Sequence, residues 1–394
     1  MEAAGEGERR AHSAAPAPVQ KRGKRLLLLV LSLCAGVLAL EGTLRVVLFA
    51  DWMRGKELAN HLRREQLYAS PESVDYWKLD VLFRRAKLMG QPHPGYDART
   101  GWLSEEIDPV TLAHADEPRL GARRPVLLFG DSFAQCVDRA GACWQDLLEG
   151  SELAPRFALL NYGVGGYGLD QALLLCRLAL ERLREREPIV VIAILVDDDL
   201  DRCFLRLRGH PKPWFSLEGG ELVLHPTGAQ DPLAFVRADP PEIRSYFWRG
   251  LLFGAGCVER ETAQRWCETP VPLPEREALC RRLLTEFRDE LETRGISYFF
   301  LLFHGQGLAA APVPSGWQEP FLYRVFEEER MPFVSSKRGL RAHAQADAVG
   351  FDAFYYQEGP GLNHFNELGN QVAFEALRQG LLGSFEPYTY LGER

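Results

Sequence analysis

Val126-Leu127-Leu128-Phe129-Gly130-Asp131-Ser132-Phe133 is the stretch of this sequence that decides the fold. Four apolar residues with strand character end in Gly-Asp-Ser, and a helix-like segment follows. In an open α/β sheet, such a corner lies at the C-terminal edge of the strands, where ligands bind. Backbone N–H groups at a helix N-terminus favour a developing negative charge. Gly, Asp and Ser are also common turn residues, so this stretch alone leaves an ordinary strand-to-turn junction open.

Strand and helix patterns alternate on the C-terminal side of this stretch. The predicted strands are the apolar runs 157–162, 189–196 and 296–303. The predicted helices are 170–185, 275–294 and 371–382. The run 189–196 is apolar throughout, which is typical of a central parallel strand buried on both faces. The alternation predicts an α/β fold of three layers, in which helices cover both faces of a mostly parallel sheet.

The region 204–274 interrupts this alternation. Two short apolar segments, 214–217 and 221–224, flank Gly219-Gly220 and predict a β-hairpin. The rest of the region is irregular and rich in Pro and Arg. A long insertion after a sheet strand often forms a lid or a specificity loop, and it can equally be a passive surface decoration. The sequence leaves both interpretations open.

Three further segments place chemically useful residues at predicted strand ends or before a helix. Asn161 and the glycines of 163–168 follow one strand, Asp197–Asp201 follow the next, and His364 precedes the last helix. Because the C-terminal loops of a parallel sheet converge at one edge, we expect these segments to meet Ser132 there. A serine, a histidine and a glycine-rich backbone are the parts of an acyl-transfer site.

In these segments the sequence resembles the SGNH/GDSL hydrolase family, of the membrane-anchored bacterial type, over about residues 123–385. Four blocks carry the resemblance, in the family's order. They are Gly130-Asp131-Ser132, Asn161 with its following glycines, Asp198-Asp199 where the family has Asn-Asp, and His364 with Asn366 and Gly369.

The resemblance implies a flavodoxin-like SGNH fold with a serine nucleophile. Ser132 would attack, and His364 would act as general base. The oxyanion hole would be formed by the N–H groups of Ser132 and Gly166, with Asp198 at the position of a third donor. The reaction would be hydrolysis or transfer of an ester-linked acyl group, without a cofactor. The expected substrate is an ester-containing glycan, lipid or small molecule.

The third oxyanion donor departs from the family pattern, because Asp198 replaces an asparagine. An ionised carboxylate would repel the developing oxyanion, and the loss of one donor typically costs ~10²–10³ in rate. A protonated Asp198 could still donate a hydrogen bond. We expect the neighbouring Asp197 and Asp199 to raise its pKa and so favour that form.

The acid of the catalytic triad departs as well. The family usually places an Asp three residues before the histidine, and Gly361 stands there. This leaves a Ser–His dyad whose imidazole would be oriented by Glu358, by Asp352 or by a backbone carbonyl. The two departures keep a second function open, a catalytically impaired module that binds cell-surface glycan or supports envelope assembly.

The N-terminal region predicts a membrane anchor. Residues 1–25 are expected to form a disordered, basic cytoplasmic tail, and the apolar run 26–40 covers ~22 Å of the ~30 Å hydrocarbon core. With residues 41–50 it forms a transmembrane signal anchor, followed by a juxtamembrane or linker region at 51–122 and the hydrolase-like domain at 123–385. A cleaved signal peptide and a buried helix are the alternatives. The anchor and the signal peptide both place the domain outside the cytoplasm, in the periplasm or at the cell surface.

The cysteines limit the possible disulfide pairings. In an oxidising space, Cys136 can pair with Cys143, or Cys257 with Cys267, and Cys176 is expected to be buried.

A net charge of −8 argues against nucleic-acid binding. The glycines of 163–168 also fit a dinucleotide-binding pattern, and the acids of 197–201 could bind a cation. The dinucleotide interpretation leaves Ser132 and His364 unexplained, and no further residues complete a known cation loop. The oligomeric state is left open.

Overall fold

The fold is known from a computed structural model of the chain. It describes residues 19–53, 55–83, 95–137, 142–228, 230–256, 258–359 and 361–385. Most of the expected disordered tail lies outside these residues, as does Cys257 and therefore its expected pairing with Cys267. The strands are β1 (Tyr96–Asp97), β2 (Gly101–Trp102), β3 (Arg124–Gly130), β4 (Phe157–Gly163), β5 (Ile189–Leu195), β6 (Leu207–Arg208), β7 (His210–Pro211), β8 (Trp214–Glu218), β9 (Glu221–His225), β10 (Ser297–Phe303) and β11 (Phe333–Ser335).

Helices of very different length separate these strands. They are α1 (Val19–Phe49), α2 (Glu57–Leu62), α3 (Val74–Phe83), α4 (Ser132–Gln135), α5 (Trp144–Glu149), α6 (Leu169–Leu183), α7 (Asp199–Arg202), α8 (Pro232–Ala238), α9 (Tyr246–Arg249), α10 (Arg260–Cys267), α11 (Leu273–Thr293), α12 (Gln306–Ala310), α13 (Gln318–Glu328), α14 (Ser336–Asp347) and α15 (Glu367–Leu381). A π-helix at Gly250–Gly254 continues α9.

The centre of the molecule is a parallel sheet. Within the described residues it contains five strands in the order β11-β10-β5-β3-β4, and each neighbouring pair is parallel. All seven residues of β5 are buried, as its uninterrupted apolar run predicts. The predicted mostly parallel sheet is therefore confirmed. The sequence analysis did not predict β11, which has only three residues.

Alternate side chains of the strands pack into two cores. Leu127, Phe129 and Ile192 point to one face, where α6, α11 and α13 cover them. Val126 and Val191 point to the other face, where α5, α14 and α15 cover them. Because strand side chains alternate with a period of two, a central strand that feeds both cores must be apolar at every position. Helices on both faces confirm the predicted three-layer α/β/α architecture.

Two regions outside the sheet pack against it. Trp102, Leu103, Ile107, Leu112 and Leu120, which lie in the stretch predicted as juxtamembrane or linker, are buried in the core that contains α6. The insertion contains the predicted hairpin as the antiparallel pair β8–β9. It also contains the short antiparallel pair β6–β7, which lies beside β2. Both regions therefore reach the sheet domain.

The C-terminal part of helix α1 contacts the insertion directly. Its segment Lys24–Phe49 is long and apolar enough to cross a membrane, by length and composition. The Glu41 carboxylate accepts hydrogen bonds from the backbone N–H groups of Tyr246 (3.1 Å) and Phe247 (2.9 Å). The Arg45 guanidinium donates to the carbonyl of Arg244 at 3.0 Å. The last turns of α1 are therefore bonded directly to the insertion.

The described cysteines include one disulfide. Cys136 is bonded to Cys143, which is one of the two pairings that the sequence left open. The bond closes a short loop directly after α4 and therefore adjoins Ser132. Cys176 is buried, as expected from its position on an apolar helix face.

A buried ion pair joins the insertion to the sheet domain. The Lys212 ammonium donates to the Asp170 carboxylate at the start of α6, and both side chains are inaccessible to solvent. Burial raises the pKa of Asp170 in spite of the opposing Lys212 charge. Removing one partner of such a pair leaves an uncompensated buried charge, which is far more costly than losing a surface ion pair.

We expect Lys212→Met to lower the free energy of unfolding by about 3–5 kcal/mol, because the Asp170 carboxylate would lose its partner. Chemical denaturation of the purified chain measures this change. The exposed Arg119–Asp116 pair provides the control, and Arg119→Met should change stability by less than about 1 kcal/mol. The double variant Lys212→Met/Asp170→Asn should recover part of the loss. Equal effects of Lys212→Met and Arg119→Met would contradict the assignment.

Candidate active site

Ser132 is the first residue of α4, directly after the C-terminal end of β3. The position before this turn requires a glycine, because a Cβ at Gly130 would lie 2.8 Å from the carbonyl oxygen of Ala193 on β5. The Asp131 carboxylate accepts a hydrogen bond from the N–H of Phe133 at 2.8 Å and so caps the short helix. The turn places the Ser132 hydroxyl at the edge of the sheet where the loops converge.

His364 lies on a loop whose backbone is hydrogen-bonded to Phe354 and Tyr356. The N–H of Tyr356 donates to the carbonyl of His364 at 2.9 Å, and the N–H of Asn366 donates to the carbonyl of Phe354 at 3.0 Å. The Asn366 side chain also caps α15 by accepting from the N–H of Gly369 at 3.0 Å. These bonds fix the backbone on both sides of the imidazole.

The structure brings Ser132 and His364 together, although 232 positions separate them in the sequence. Nε2 of His364 lies 2.8 Å from Oγ of Ser132, and Nδ1 lies 3.2 Å from the carbonyl oxygen of Leu362. A carbonyl oxygen can only accept, so the proton of the neutral ring belongs on Nδ1. Nε2 is then the atom that accepts the Ser132 hydroxyl, which is the arrangement a general base requires.

A backbone carbonyl, and not a carboxylate, therefore contacts the outer nitrogen of the imidazole. Glu358 and Asp352, expected as possible orienting acids, are exposed, and within the described residues neither forms a hydrogen bond with His364. Position 361, where the family has its aspartate, faces the ring of Tyr356. A Cβ there would lie 2.8 Å from Cδ2 of that ring. The structure thus places neither Glu358 nor Asp352 at the imidazole, and the contact it shows is with the carbonyl of Leu362.

Two backbone N–H groups beside the serine have no acceptor. The N–H groups of Ser132 and Gly166 form no hydrogen bond in the part of the chain that the structure describes. The loop that presents Gly166 is fixed on both sides of Gly165. The N–H of Gly165 donates to Oε1 of Gln135 at 2.8 Å, and the carbonyl of Gly165 accepts from Nε1 of Trp102 at 2.9 Å. Unpaired backbone N–H groups beside a serine hydroxyl are the donors that an oxyanion hole needs.

The expectation of a protonated, donating Asp198 is wrong. Burial acts to raise the pKa of Asp198, but the charges of Arg202 and Arg208 outweigh it, and the pKa lies below its usual range. Oδ2 of Asp198 accepts a hydrogen bond from Nη2 of Arg202 at 2.6 Å. The expected rise in pKa rested on the neighbouring aspartates, whereas the arginine four residues further along the chain decides the shift.

Arg202 organises the aspartates around the nucleophile. Its Nη1 donates to Oδ2 of Asp131 at 2.9 Å and to Oδ1 of Asp199 at 2.6 Å. Asp199 also accepts from the N–H of Leu195 at the end of β5, at 2.8 Å. Burial, followed by the charge of Asp131, raises the pKa of Asp199 well above its usual value. Arg202 is a positioning residue that the spacing of Asp198, Asp199 and Arg202 could have indicated.

The other acids of this cluster are also engaged. Asp197 accepts from the N–H of Gly305 at 2.7 Å, and Asp201 accepts from Arg276 at 2.7 Å and from Gln318 at 2.6 Å. In the described parts of the chain, no group of three or more His, Cys, Asp or Glu side chains is arranged to hold a metal ion. The carboxylates at 197–201 thus serve contacts within the protein.

A cavity of about 1070 Å³ opens at Ser132 and His364. Its walls come from the region 95–109 and from the insertion, neither of which the sequence analysis had placed at the site. They include Trp102, Ser104, Ile107, Arg208 and His210. Arg208 is a charged residue that no motif in the sequence had indicated. The insertion therefore contributes Arg208 and His210 to the walls of the cavity.

Comparisons with known proteins give structural likenesses only. No family model and no curated protein matches the sequence. An acetylxylan esterase from Geobacillus stearothermophilus is 15% identical, with 68% of this chain and 97% of that chain covered and a TM-score of 0.33. A lipase/acylhydrolase from Enterococcus faecalis is 14% identical, with coverages of 67% and 98% and a TM-score of 0.36.

A GDSL-like lipase candidate from Parabacteroides merdae is 15% identical, with 66% of this chain and 96% of that chain covered and a TM-score of 0.34.

We expect Arg202→Met to lower the free energy of unfolding by about 3–5 kcal/mol at about pH 7.5, because three aspartates lose their shared cation. The deficit relative to the unchanged chain should shrink as the pH falls towards about 5. The raised pKa of Asp199 means that the folded state binds its proton more tightly than the unfolded state, so protonation relieves the penalty. Urea midpoints at several pH values measure both effects.

Arg206→Met is a suitable control for this series, because Arg206 pairs with Asp239 at 3.3 Å on a half-exposed surface. A small and pH-independent change is expected for that variant. If Arg202→Met behaved in the same way, the central role of Arg202 would be wrong.

Proposed function

We propose that this protein is a serine ester hydrolase that acts on an ester-linked acyl group. The observation that carries the proposal is the 2.8 Å contact between Oγ of Ser132 and Nε2 of His364. Two free backbone N–H groups lie beside it, and an open cavity gives a substrate access. A nucleophile, a base in the correct tautomer and a place for the oxyanion are the minimum set for acyl transfer.

In the proposed mechanism, Oγ of Ser132 attacks the ester carbonyl while Nε2 of His364 takes the hydroxyl proton. The tetrahedral intermediate places its negative oxygen at the N–H groups of Ser132 and Gly166. Nε2 then returns the proton to the leaving alcohol, which leaves an acyl-serine. A water molecule, deprotonated by the same nitrogen, releases the acid and restores the serine. With a carbonyl in place of the acid, the imidazolium is oriented but receives no stabilisation from a negative charge.

A second Ser–His pair shows why geometry alone is not sufficient. Oγ of Ser216 lies 2.7 Å from Nε2 of His225 on the hairpin β8–β9. The ring of His225 is stacked on Trp214 with centroids 4.1 Å apart. The pair lies on a two-stranded ribbon and not at the C-terminal edge of the parallel sheet. It therefore provides a matched control for Ser132 and His364.

The alternative function is a binding module without catalysis, which would recognise cell-surface glycan or support envelope assembly. Among the described residues no carboxylate contacts His364, and this fact and the charge of Asp198 favour the alternative. A third possibility is an acyltransferase, in which an alcohol other than water accepts the acyl group from Ser132. The three functions differ in whether Ser132 reacts and whether water completes the cycle.

We expect Ser132→Ala to abolish turnover of a model ester such as p-nitrophenyl acetate, and His364→Ala to reduce it by at least about 10²-fold. Ser216→Ala should retain full activity. The purified full chain in detergent, assayed by p-nitrophenolate release, provides the measurement. A fluorophosphonate probe should label the unchanged chain and Ser216→Ala, but not Ser132→Ala.

The outcomes separate the three functions. Turnover with labelling at Ser132 supports the hydrolase. Labelling with little hydrolysis, restored by an added alcohol, supports the transferase. Neither turnover nor labelling supports the binding module and removes the proposal.

We also propose that α1 is a membrane anchor and that the sheet domain lies outside the cytoplasm. The basic residues before the apolar run support this orientation, because positive charge favours the cytoplasmic side. The disulfide between Cys136 and Cys143 supports an oxidising surrounding. A cleaved signal sequence would give the same location without the anchor.

Cysteine accessibility tests the proposed orientation. In intact cells that express the full chain, a membrane-impermeant maleimide should label Glu218→Cys, at the exposed end of β8, above the background of the unchanged chain. Ser13→Cys should react only after the membrane is permeabilised. Labelling of Ser13→Cys in intact cells would reverse the orientation, and loss of residue 13 from the mature protein would show cleavage.

A further inference from the structure

Arg208 is a half-buried cation that forms no ion pair within the described residues. No hydrogen bond joins its guanidinium to any of these residues, and its ring contact is with Trp77, whose centroid lies 5.2 Å away. Other arginines near the site, such as Arg202 and Arg276, are paired with carboxylates at 2.6–2.9 Å. A guanidinium has five N–H donors, and those of Arg208 are all available.

The position of this guanidinium is set by Gly166. A Cβ at position 166 would overlap Nη1 of Arg208 and approach its Cζ to 3.2 Å. The arginine thus packs directly on the glycine whose N–H is one of the two free donors beside Ser132. Gly166 has a φ of +87°, a conformation that suits glycine.

Arg208 also separates Asp198 from the catalytic cavity. Asp198 lines a smaller cavity of about 170 Å³, together with Arg202 and Arg208. The catalytic cavity is lined by Ser132, Gly166, Arg208 and His364, whereas Asp198 is not among its lining residues. Arg208 therefore lines both cavities, whereas Asp198 lines the smaller one and not the catalytic cavity.

The charge of Arg208 persists at neutral pH. Burial, followed by the charge of Arg202, lowers the pKa of Arg208 to about 10, while Asp198 opposes the shift. The side chain therefore carries a full positive charge under ordinary assay conditions. An unpaired cation in a partly desolvated position interacts more strongly with a new negative charge than a solvated one.

We propose that Arg208 is the third oxyanion donor of the site and takes the role that Asp198 cannot perform. When Oγ of Ser132 bonds to the carbonyl carbon, the electron pair of the C=O double bond moves onto the carbonyl oxygen. That oxygen accepts hydrogen bonds from the N–H groups of Ser132 and Gly166 and from the Arg208 guanidinium, and no proton is transferred to it. The inference rests on the proposed hydrolase function and deepens it.

A different role for the same cation is to bind an anionic group on the substrate. The contact with Gly166 favours the oxyanion role, because it places the guanidinium at the glycine whose N–H faces the reacting carbonyl. The two roles predict different kinetics. An oxyanion donor acts on kcat for every ester, whereas an anion-binding residue acts on KM for anionic esters and leaves neutral esters unaffected.

The test uses the full chain and a neutral ester, p-nitrophenyl acetate. Arg208→Met should lower kcat by about 10²–10³ with a smaller change in KM, as for loss of one oxyanion donor. Arg208→Lys should retain part of the rate because the charge remains. Guanidinium ion at millimolar concentration should partly restore Arg208→Ala. Arg206→Met, two residues away and paired with Asp239, should have the kcat of the unchanged chain.

The outcomes distinguish failure of this inference from failure of the proposed function. If the unchanged chain hydrolyses the ester and a folded Arg208→Met is equally fast, the inference is overturned and the hydrolase stands. A rise in KM confined to an anionic ester assigns substrate binding instead and also overturns it. If the unchanged chain neither hydrolyses esters nor reacts with the fluorophosphonate, the proposed function fails and the role of Arg208 fails with it.

Folding is checked by circular dichroism and thermal unfolding of each variant. If Arg208→Met does not fold, the Lys variant and guanidinium rescue of the Ala variant decide the question. Rescue supports the donor role, because a structural defect would not respond to a small cation. Full activity of the Ala variant without guanidinium overturns the role.

Discussion

The bonds from Arg202 to Asp131 and Asp199 are the interaction on which the rest of the site depends. Asp131 caps the turn that presents Ser132, and Asp199 is bonded to the end of β5. One guanidinium thus connects the nucleophile turn to the central strand. Asp131 and Asp199 are both buried, and two neighbouring carboxylates repel each other. The Arg202 guanidinium between them offsets that repulsion.

His364 shows how an imidazole can be oriented by a backbone carbonyl. The carbonyl of Leu362 contacts Nδ1 of His364, and this contact selects the tautomer that leaves Nε2 free to accept a hydrogen bond. In the proposed reaction, a carboxylate would in addition stabilise the imidazolium. Within the described residues no carboxylate contacts the ring, so the contact with Leu362 provides orientation without that charge. We infer that more of the transition-state stabilisation must come from the oxyanion side of the site.

Much of the fold could be predicted from the sequence, because its signals are local. The run 189–196 and the turn after Phe129 specify a buried strand and its exit from local pattern alone. Ser132 and His364 could also be predicted from the sequence, because they lie in the motifs that carry the family resemblance. Arg208 could not be predicted in this way, because a residue on a short strand within an irregular insertion carries no periodic signal. Its proposed role follows from contacts with Gly166 that only the folded chain creates. The state of Asp198 was mispredicted because its deciding neighbours are cations and not the adjacent acids.

The direct bonding of α1 to the insertion has a mechanical consequence. Glu41 and Arg45 contact residues 244–247, and Val47 and Leu48 are buried. The apolar helix is therefore joined to the folded part without a flexible linker. If α1 spans a bilayer, it would fix the distance of the cavity from the lipid surface and the direction in which the cavity opens. Encounter with substrate would depend on lateral diffusion of the whole molecule, and only esters presented at one distance from the membrane would come within reach.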